Sequence, residues 1–288
     1  MKSGSPLGRL IFVFTILSGS AYQNSDAAAC VWKVTSPGGG TLFLGGSAHA
    51  LRSADYPLPA PYNRAFDASS RLVFETDLAS NKAATKGLIK AGQYPKGDSL
   101  KNHVDPRTYS YVRRFFALQN VPEQKFNTYR PWLIDMMLES PPSENSQLGV
   151  EQFLEQRAVT NHKSITGLES VQEHMAPFVG LNDREGEALL LIHFINMGRA
   201  NPGFGSILDS WRHGDADVLA RHMRDEYQDF PAFMDRIVTA RNRRWIPKIE
   251  EFIKSGQTYF VVAGAGHMGG SEGVVALLRA RGYTVEQW

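Results

Sequence analysis

The tetrapeptide Gly46-Ser47-Ala48-His49 recurs near the far end of the 288-residue chain as Gly264-Ala265-Gly266-His267. Each copy closes an apolar run of strand character, Thr41-Leu42-Phe43-Leu44 in front of the first and Thr258-Tyr259-Phe260-Val261-Val262 in front of the second. A short apolar run, then small residues, then a polar side chain is how an α/β sheet presents a chemical group at the carboxyl end of a strand. Two such ends, distant in sequence and alike in design, constrain the fold strongly. They call for a sheet built from both ends of the chain, with two imidazoles aimed at one place.

The remaining pattern agrees with that frame. Val31–Ser36 and Thr41–Gly45 read as strands joined by the turn Pro37-Gly38-Gly39-Gly40. A short helix ends near Ala68, and Arg71–Asp77 is the next strand, with Glu75 and Asp77 on one face by period-two alternation. Residues 79–161 read as helical, with Tyr111, Phe115 and Leu118 sharing one face and Pro141-Pro142-Ser143 as a break. Gly149–Thr160 is a helix and Ser164–Leu168 a short strand ending at Glu169. Helices then run from Val171 to Ser255, interrupted at Asn201-Pro202-Gly203 and Phe230-Pro231. Thr258–Ala263 is a strand, Gly270–Ala280 a helix with Val274, Leu277 and Leu278 inward, and Gly282–Gln287 a last strand. The expected fold is α/β: a mixed, largely parallel sheet built from both chain ends and covered by a long helical middle region, residues 80–255. That middle is read as a lid or as a homodimer interface.

The first segment reads as a leader and not as part of the fold. Lys2 and Arg9 precede the apolar run Leu10–Leu17, and Ala27-Ala28-Ala29 supplies small residues for cleavage. Residues 1–29 are therefore expected to be a secretory signal and residues 30–288 a single domain, periplasmic or secreted. No later run has the length and apolarity of a transmembrane helix. Cys30 is the only cysteine, so an internal disulfide is excluded, and its place beside the cleavage site opens a lesser reading as a lipid anchor. A net charge of +2 without a basic tract argues against nucleic-acid binding.

His49, Glu75 and His267 each follow an expected strand. Two imidazoles and a carboxylate are a common ligand set for a divalent metal such as manganese, cobalt, zinc or iron. The same residues also have plainer readings, a turn for each Gly-x-x-His and a backbone-bonded sheet-end carboxylate for Glu75. His103, His162, His174, His213 and His222 read as exposed, and His193 as a core or pocket-lining residue. Trp132, Trp211 and Trp245 read as core. Cys30 is badly placed for cysteine catalysis.

Several segments together resemble the TraB/GumN family, in order and over nearly the whole chain from residue 30. They are Leu42–His49, Tyr56-Pro57-Leu58, Arg71–Asp77, Gly167-Leu168-Glu169-Ser170, Arg241-Asn242-Arg243, Val262–Gly269, and Gly273 with Leu277–Tyr283. The family usually has Gly-Thr-x-His at the first motif, where this chain has Gly-Ser-Ala-His, which keeps a small hydroxyl. The family is related to the metal-dependent Tiki proteases. The resemblance implies a metalloprotease-type site in which His49, Glu75 and His267 hold a divalent cation and Glu75 is a ligand or the general base. Arg241 and Asn242 then bind a substrate carbonyl or oxyanion, and Asp77 and Glu169 orient the ligands from behind. Plainer alternatives are an Arg241 ion pair with Glu75 or Asp77, and helix caps at Asp77 and Glu169. The expected function is a secreted metal-dependent hydrolase acting on a peptide or protein substrate. The alternatives are a non-enzymatic binding or polysaccharide-export protein using the same pocket, and a metal-free esterase or lactonase with His49 as base.

Overall fold

The computed structural model describes residues 28–76, 86–138, 147–198 and 203–288. Asp77 and all but the last two residues of the expected leader lie outside the described residues. The strands are β1 (Val31–Thr35), β2 (Thr41–Ser47), β3 (Ala50–Leu51), β4 (Arg71–Thr76), β5 (Gln147–Leu148), β6 (Ser164–Glu169), β7 (Tyr259–Gly264) and β8 (Thr284–Gln287). Six of them form one sheet in the order β6-β4-β7-β2-β1-β8. The pairs β2–β7, β7–β4 and β4–β6 are parallel, while β1 runs antiparallel to both β2 and β8. This is the mixed, largely parallel sheet drawn from both chain ends that the motif pair calls for. The two-residue strands β3 and β5 pair separately, a small sheet that no apolar run announced.

The helices are α1 (Ala60–Ala68), α2 (Pro106–Leu118), α3 (Pro131–Leu138), α4 (Val150–Thr160), α5 (Val171–Val179), α6 (Asp183–Gly198), α7 (Gly203–Arg212) and α8 (Ala216–Glu226), followed by α9 (Pro231–Met234), α10 (Ala240–Lys254) and α11 (Val274–Ala280). Between α9 and α10 the residues Asp235–Thr239 form a single π turn. Among the described residues, no helix is long and apolar enough to cross a membrane.

The main core lies around the sheet. β7 is buried along Tyr259–Ala263, as a central parallel strand covered on both faces requires. Helix α10 lays Trp245, Ile246, Ile249 and Ile253 against it, an apolar stripe at helical spacing. Two further clusters belong to the helical middle, one around Val112, Phe116, Phe126 and Ile134, the other around Trp132, Leu189 and Phe233. In α2 the buried stripe is Thr108, Val112 and Phe116. The expected face of Tyr111, Phe115 and Leu118 is displaced outward, with Leu118 85% exposed and Tyr111 edge-on to Phe194. Helix α11 begins at Val274 rather than Gly270, because residues 268–273 make a tight turn first. Gly270 has φ +78°, and a Cβ on Gly273 would fall 2.2 Å from the Gly269 carbonyl oxygen. Val275 turns inward there, while Leu277 is only half-buried.

The first Gly-x-x-His owes its glycines to packing on both faces of β2. A Cβ on Gly45 would stand 2.7 Å from the Phe260 ring, and one on Gly46 would stand 3.0 Å from both Cys30 and Ala265. The Gly46 carbonyl accepts from the Tyr62 hydroxyl and from Trp211 Nε1 at 2.9 Å, tying β2 to α1 and α7. We predict that Gly46→Val lowers stability by about 1–3 kcal/mol through overpacking, read as a reduced denaturant midpoint with unchanged slope. A neutral effect would show that this packing is loose.

Candidate functional site

Three parallel strands, β6, β4 and β7, deliver Glu169, Glu75 and the turn Ala265–His267 to one edge of the sheet. Register fixes the neighbours, since Thr76 pairs with Glu169 across β4–β6. This is the carboxyl edge, where open parallel sheets place their ligand sites.

Arg241, at the start of α10, reaches into this edge and joins the carboxylates. Its Nη2 donates to Glu75 Oε2 and, at 2.5 Å, to Glu169 Oε1, while Nε donates to Glu169 Oε1 at 2.9 Å. Its Nη1 donates to the Ile237 carbonyl of the π turn at 3.0 Å and lies 3.3 Å from His267 Nε2. The guanidinium lies over the Trp245 ring, 4.8 Å from its centroid, and Trp245 Nε1 donates to Glu169 Oε2 at 3.1 Å. Glu75 Oε1 accepts from the Gly264 N–H at 2.8 Å. Burial pushes the Glu75 carboxyl up, but His267, the Arg241 guanidinium, His174 and the Gly264 N–H outweigh it and hold the group well below the usual carboxylate range. Glu169 is lowered in the same way against its burial, by His174 and Arg241.

His267 is buried and its tautomer is fixed. Asn242 Nδ2 donates to the His267 carbonyl at 3.2 Å and to the Glu272 carbonyl at 2.8 Å, which leaves Asn242 Oδ1 facing His267 Nδ1 at 2.7 Å. An amide oxygen only accepts, so Nδ1 carries the proton and Nε2 presents a lone pair. That lone pair points into the cluster, 4.0 Å from Glu75 Oε1. Burial, the largest influence, pushes the imidazole down to about 4 despite the attraction of Glu75. Arg241 already supplies the positive charge here, so His267 is neutral at neutral pH. Gly264 makes the approach feasible, since a Cβ there would stand 3.4 Å from Glu75 Oε1 and 3.6 Å from the His267 ring.

His174 completes the cluster. Ser170 caps α5 by accepting from the Glu173 N–H, which sets His174 one turn into the helix. His174 Nδ1 lies 2.9 Å from Glu169 Oε1 and 3.7 Å from Glu75 Oε2. Donor atoms of Glu75, Glu169 and His174 lie within 4.8 Å of one another, a grouping able to hold a metal ion. Two donors spanned by one cation with bonds of about 2 Å stand no more than about 4 Å apart. The His174–Glu75 and His174–Glu169 separations meet that limit. His267 lies outside this grouping of three, its Nε2 4.0 Å from the other Glu75 oxygen, Oε1. Carboxylates and imidazoles suit manganese, cobalt, zinc or iron, so the donor set fits a divalent cation. The Arg241 guanidinium bonds the same carboxylate oxygens, so cation and guanidinium compete for them.

The family's sequence profile matches residues 30–287. The chain belongs to the TraB/PrgY/gumN family. It is 25% identical over 283 residues to an uncharacterized protein of Treponema pallidum, covering 87% of this chain and 80% of that one. It is 21% identical over 286 residues to a protein named metalloprotease TIKI homolog from Nematostella vectensis, covering 80% of this chain and 60% of that one. With metalloprotease TIKI2 of Danio rerio it shares 23% identity over 300 residues, covering 85% of this chain and 58% of that one. The chain thus spans about three fifths of the length of these two TIKI-named relatives. No significant match to a solved structure exists.

Of the residues singled out in the sequence, the structure brings Glu75, Glu169, Arg241 and His267 into contact and sets Asn242 behind His267. The Arg241–Glu75 ion pair is present, and the cap of α5 falls to Ser170, so Glu169 is free to face Arg241. His49 stands on the neighbouring loop after β2 with its side chain 83% exposed, its Nδ1 3.6 Å from Glu151. Glu151, at the start of α4, also accepts from the Ser47 hydroxyl. His49 thus contributes no donor to the described cluster. His174, expected on the surface, is the residue that sequence reasoning missed. Its signal was the Ser170/Glu173 capping box directly after a strand-end carboxylate. His103 is likewise not exposed as expected; it lies between Asp98 and Asp183, 2.7 Å from each, and stacks on Tyr94. His193 sits 3.2 Å from buried Asp135 in the helical middle. Cys30 is buried, its thiol pushed up to about 12 by burial and by Asp215, so it is no nucleophile.

Because His267 is ordinarily near 6.5 and is lowered to about 4 here, the unfolded chain binds a proton that the folded one refuses in that interval. Its contribution to stability is complete above pH 6.5 and is lost as pH falls toward 4. We predict that the chelator-treated protein loses about 2 kcal/mol of unfolding free energy between pH 7 and pH 5, and that His267→Gln loses far less. Equal losses in the two proteins would contradict a neutral buried imidazole.

Proposed function

We propose that the chain is a metal-dependent hydrolase acting on peptide bonds, with its site at the Glu75–Glu169–His174–His267 edge. One observation carries the reading: the His267 Nε2 lone pair, fixed by Asn242, faces an ionised Glu75 at 4.0 Å. The metalloprotease names of the two TIKI relatives add support. Glu75, Glu169, His174 and His267 would hold the cation. When bound, it would polarise a carbonyl and acidify water.

The chain's own groups supply the rest. Glu75, kept ionised by its surroundings, offers a charged ligand at any working pH. Asn242 keeps His267 in the tautomer whose Nε2 can bind. Arg241, released from the carboxylates, directs its N–H groups at the carbonyl oxygen of the scissile bond, where negative charge develops. His49, outside this cluster at the same sheet edge, is a candidate to contact substrate rather than the cation.

Protein purified without chelator should carry about one divalent cation per chain by mass spectrometry, and Glu75→Gln and His267→Ala should each lose it. Cleavage of an unfolded test protein such as casein should fall by about 10²–10⁴ in Glu75→Gln. A wild type that stays metal-free after incubation with manganese, cobalt and zinc would sink the reading. Stoichiometric metal without cleavage of any peptide would favour a binding role.

The same proposal includes secretion through the leader at residues 1–29. Mature protein isolated from its host should begin near Ala29 or Cys30 by N-terminal sequencing, and a start at Met1 would overturn this part.

A further inference from the structure

A cavity lies beyond the His267 turn, between α8 and α11. Its volume is about 420 Å³, and its lining includes Asp217, Arg221, Arg224, Met268, Gly270 and Arg279. That volume lies in the range of small-molecule sites and exceeds what a single simple ion needs. Three arginines and one aspartate are among its lining residues. Among the described residues, no carboxylate lies within ion-pair distance of Arg221, Arg224 or Arg279. The carboxylate present is already engaged, because Asp217 Oδ1 accepts from the Gly270 N–H at 2.7 Å.

The arginines are placed rather than merely present. Arg279 Nη2 donates to the Val285 carbonyl at 2.7 Å, which anchors that guanidinium to the start of the last strand. Arg221 and Arg224 come from α8, three residues apart and so on neighbouring positions of one helix face. Arg224 Nη2 lies against Gly270, where a Cβ would stand 3.2 Å away and where φ is +78°. The missing side chain leaves that guanidinium open to the cavity. Exposed like charges gathered around one hollow repel one another unless an anion joins them. Guanidinium forks bind planar or tetrahedral oxyanions in pairs of hydrogen bonds.

We propose that this cavity binds a small organic anion through a phosphate or carboxylate group held by Arg221, Arg224 and Arg279. The site is separate from the Glu75 cluster and does not depend on the hydrolase reading.

Titration calorimetry on the full mature chain at low salt tests it, with pyrophosphate as the phosphate probe and tricarballylate as the carboxylate probe. Saturable one-to-one binding of either is expected, and the stronger of the two names the chemistry. Arg221→Ser/Arg224→Ser should weaken that binding at least tenfold. Asp217→Asn, which keeps an acceptor for Gly270 and removes the like charge, should tighten it severalfold. Thermal unfolding of each variant checks that the fold is retained. Absence of saturable binding by both probes at millimolar concentration, or equal binding by the folded double variant, would overturn the proposal.

Discussion

The Arg241 guanidinium holds the carboxyl edge of this sheet together. Two carboxylates, Glu75 and Glu169, are carried to the ends of adjacent strands and buried there. Removing a carboxylate from water costs several kcal/mol unless a positive partner and hydrogen bonds replace the lost hydration. Arg241 is that partner for both, and the Gly264 N–H and Trp245 Nε1 serve the outer oxygens. One side chain from α10 therefore fixes how the helix sits on the sheet and keeps both acids ionised. Together with burial, the larger influence, it keeps His267 neutral.

Much of the fold was legible because its strands are short apolar runs ended by small or charged residues. Thr41–Ser47, Arg71–Thr76, Ser164–Glu169 and Tyr259–Gly264 all lie where the pattern placed them, within a residue or two. The helical middle was legible in kind but not in facing. In α2 an aromatic at either side of the buried stripe satisfied the same spacing, and only packing against Phe126 and Ile134 chose Val112 and Phe116. Pairing as short as β3 with β5 leaves no periodicity to read.

The site was legible where strand order decides it and obscure where a neighbour decides it. Glu75 and His267 follow from their strands, and Arg241 came with the family resemblance. His49 obeys the same local rule as His267, yet it lies exposed beside Glu151 on α4. His174 lies in a polar sequence that reads as surface, and only the closure of α5 over Glu169 brings it inward. Identical motifs thus acquire different environments, because an imidazole's surroundings come from elements remote in sequence.

The π turn at Asp235–Thr239 governs the facing of the helix that follows it. A π turn is one residue more than an α-helical turn would contain. Each residue of an α-helix advances about 100° around its axis. The angular phase of Arg241, Asn242 and Trp245 relative to α9 is therefore set by the length of the chain before them, whatever residues fill it. Loss of a single residue from this turn would swing Arg241, Asn242 and Trp245 away from the sheet edge.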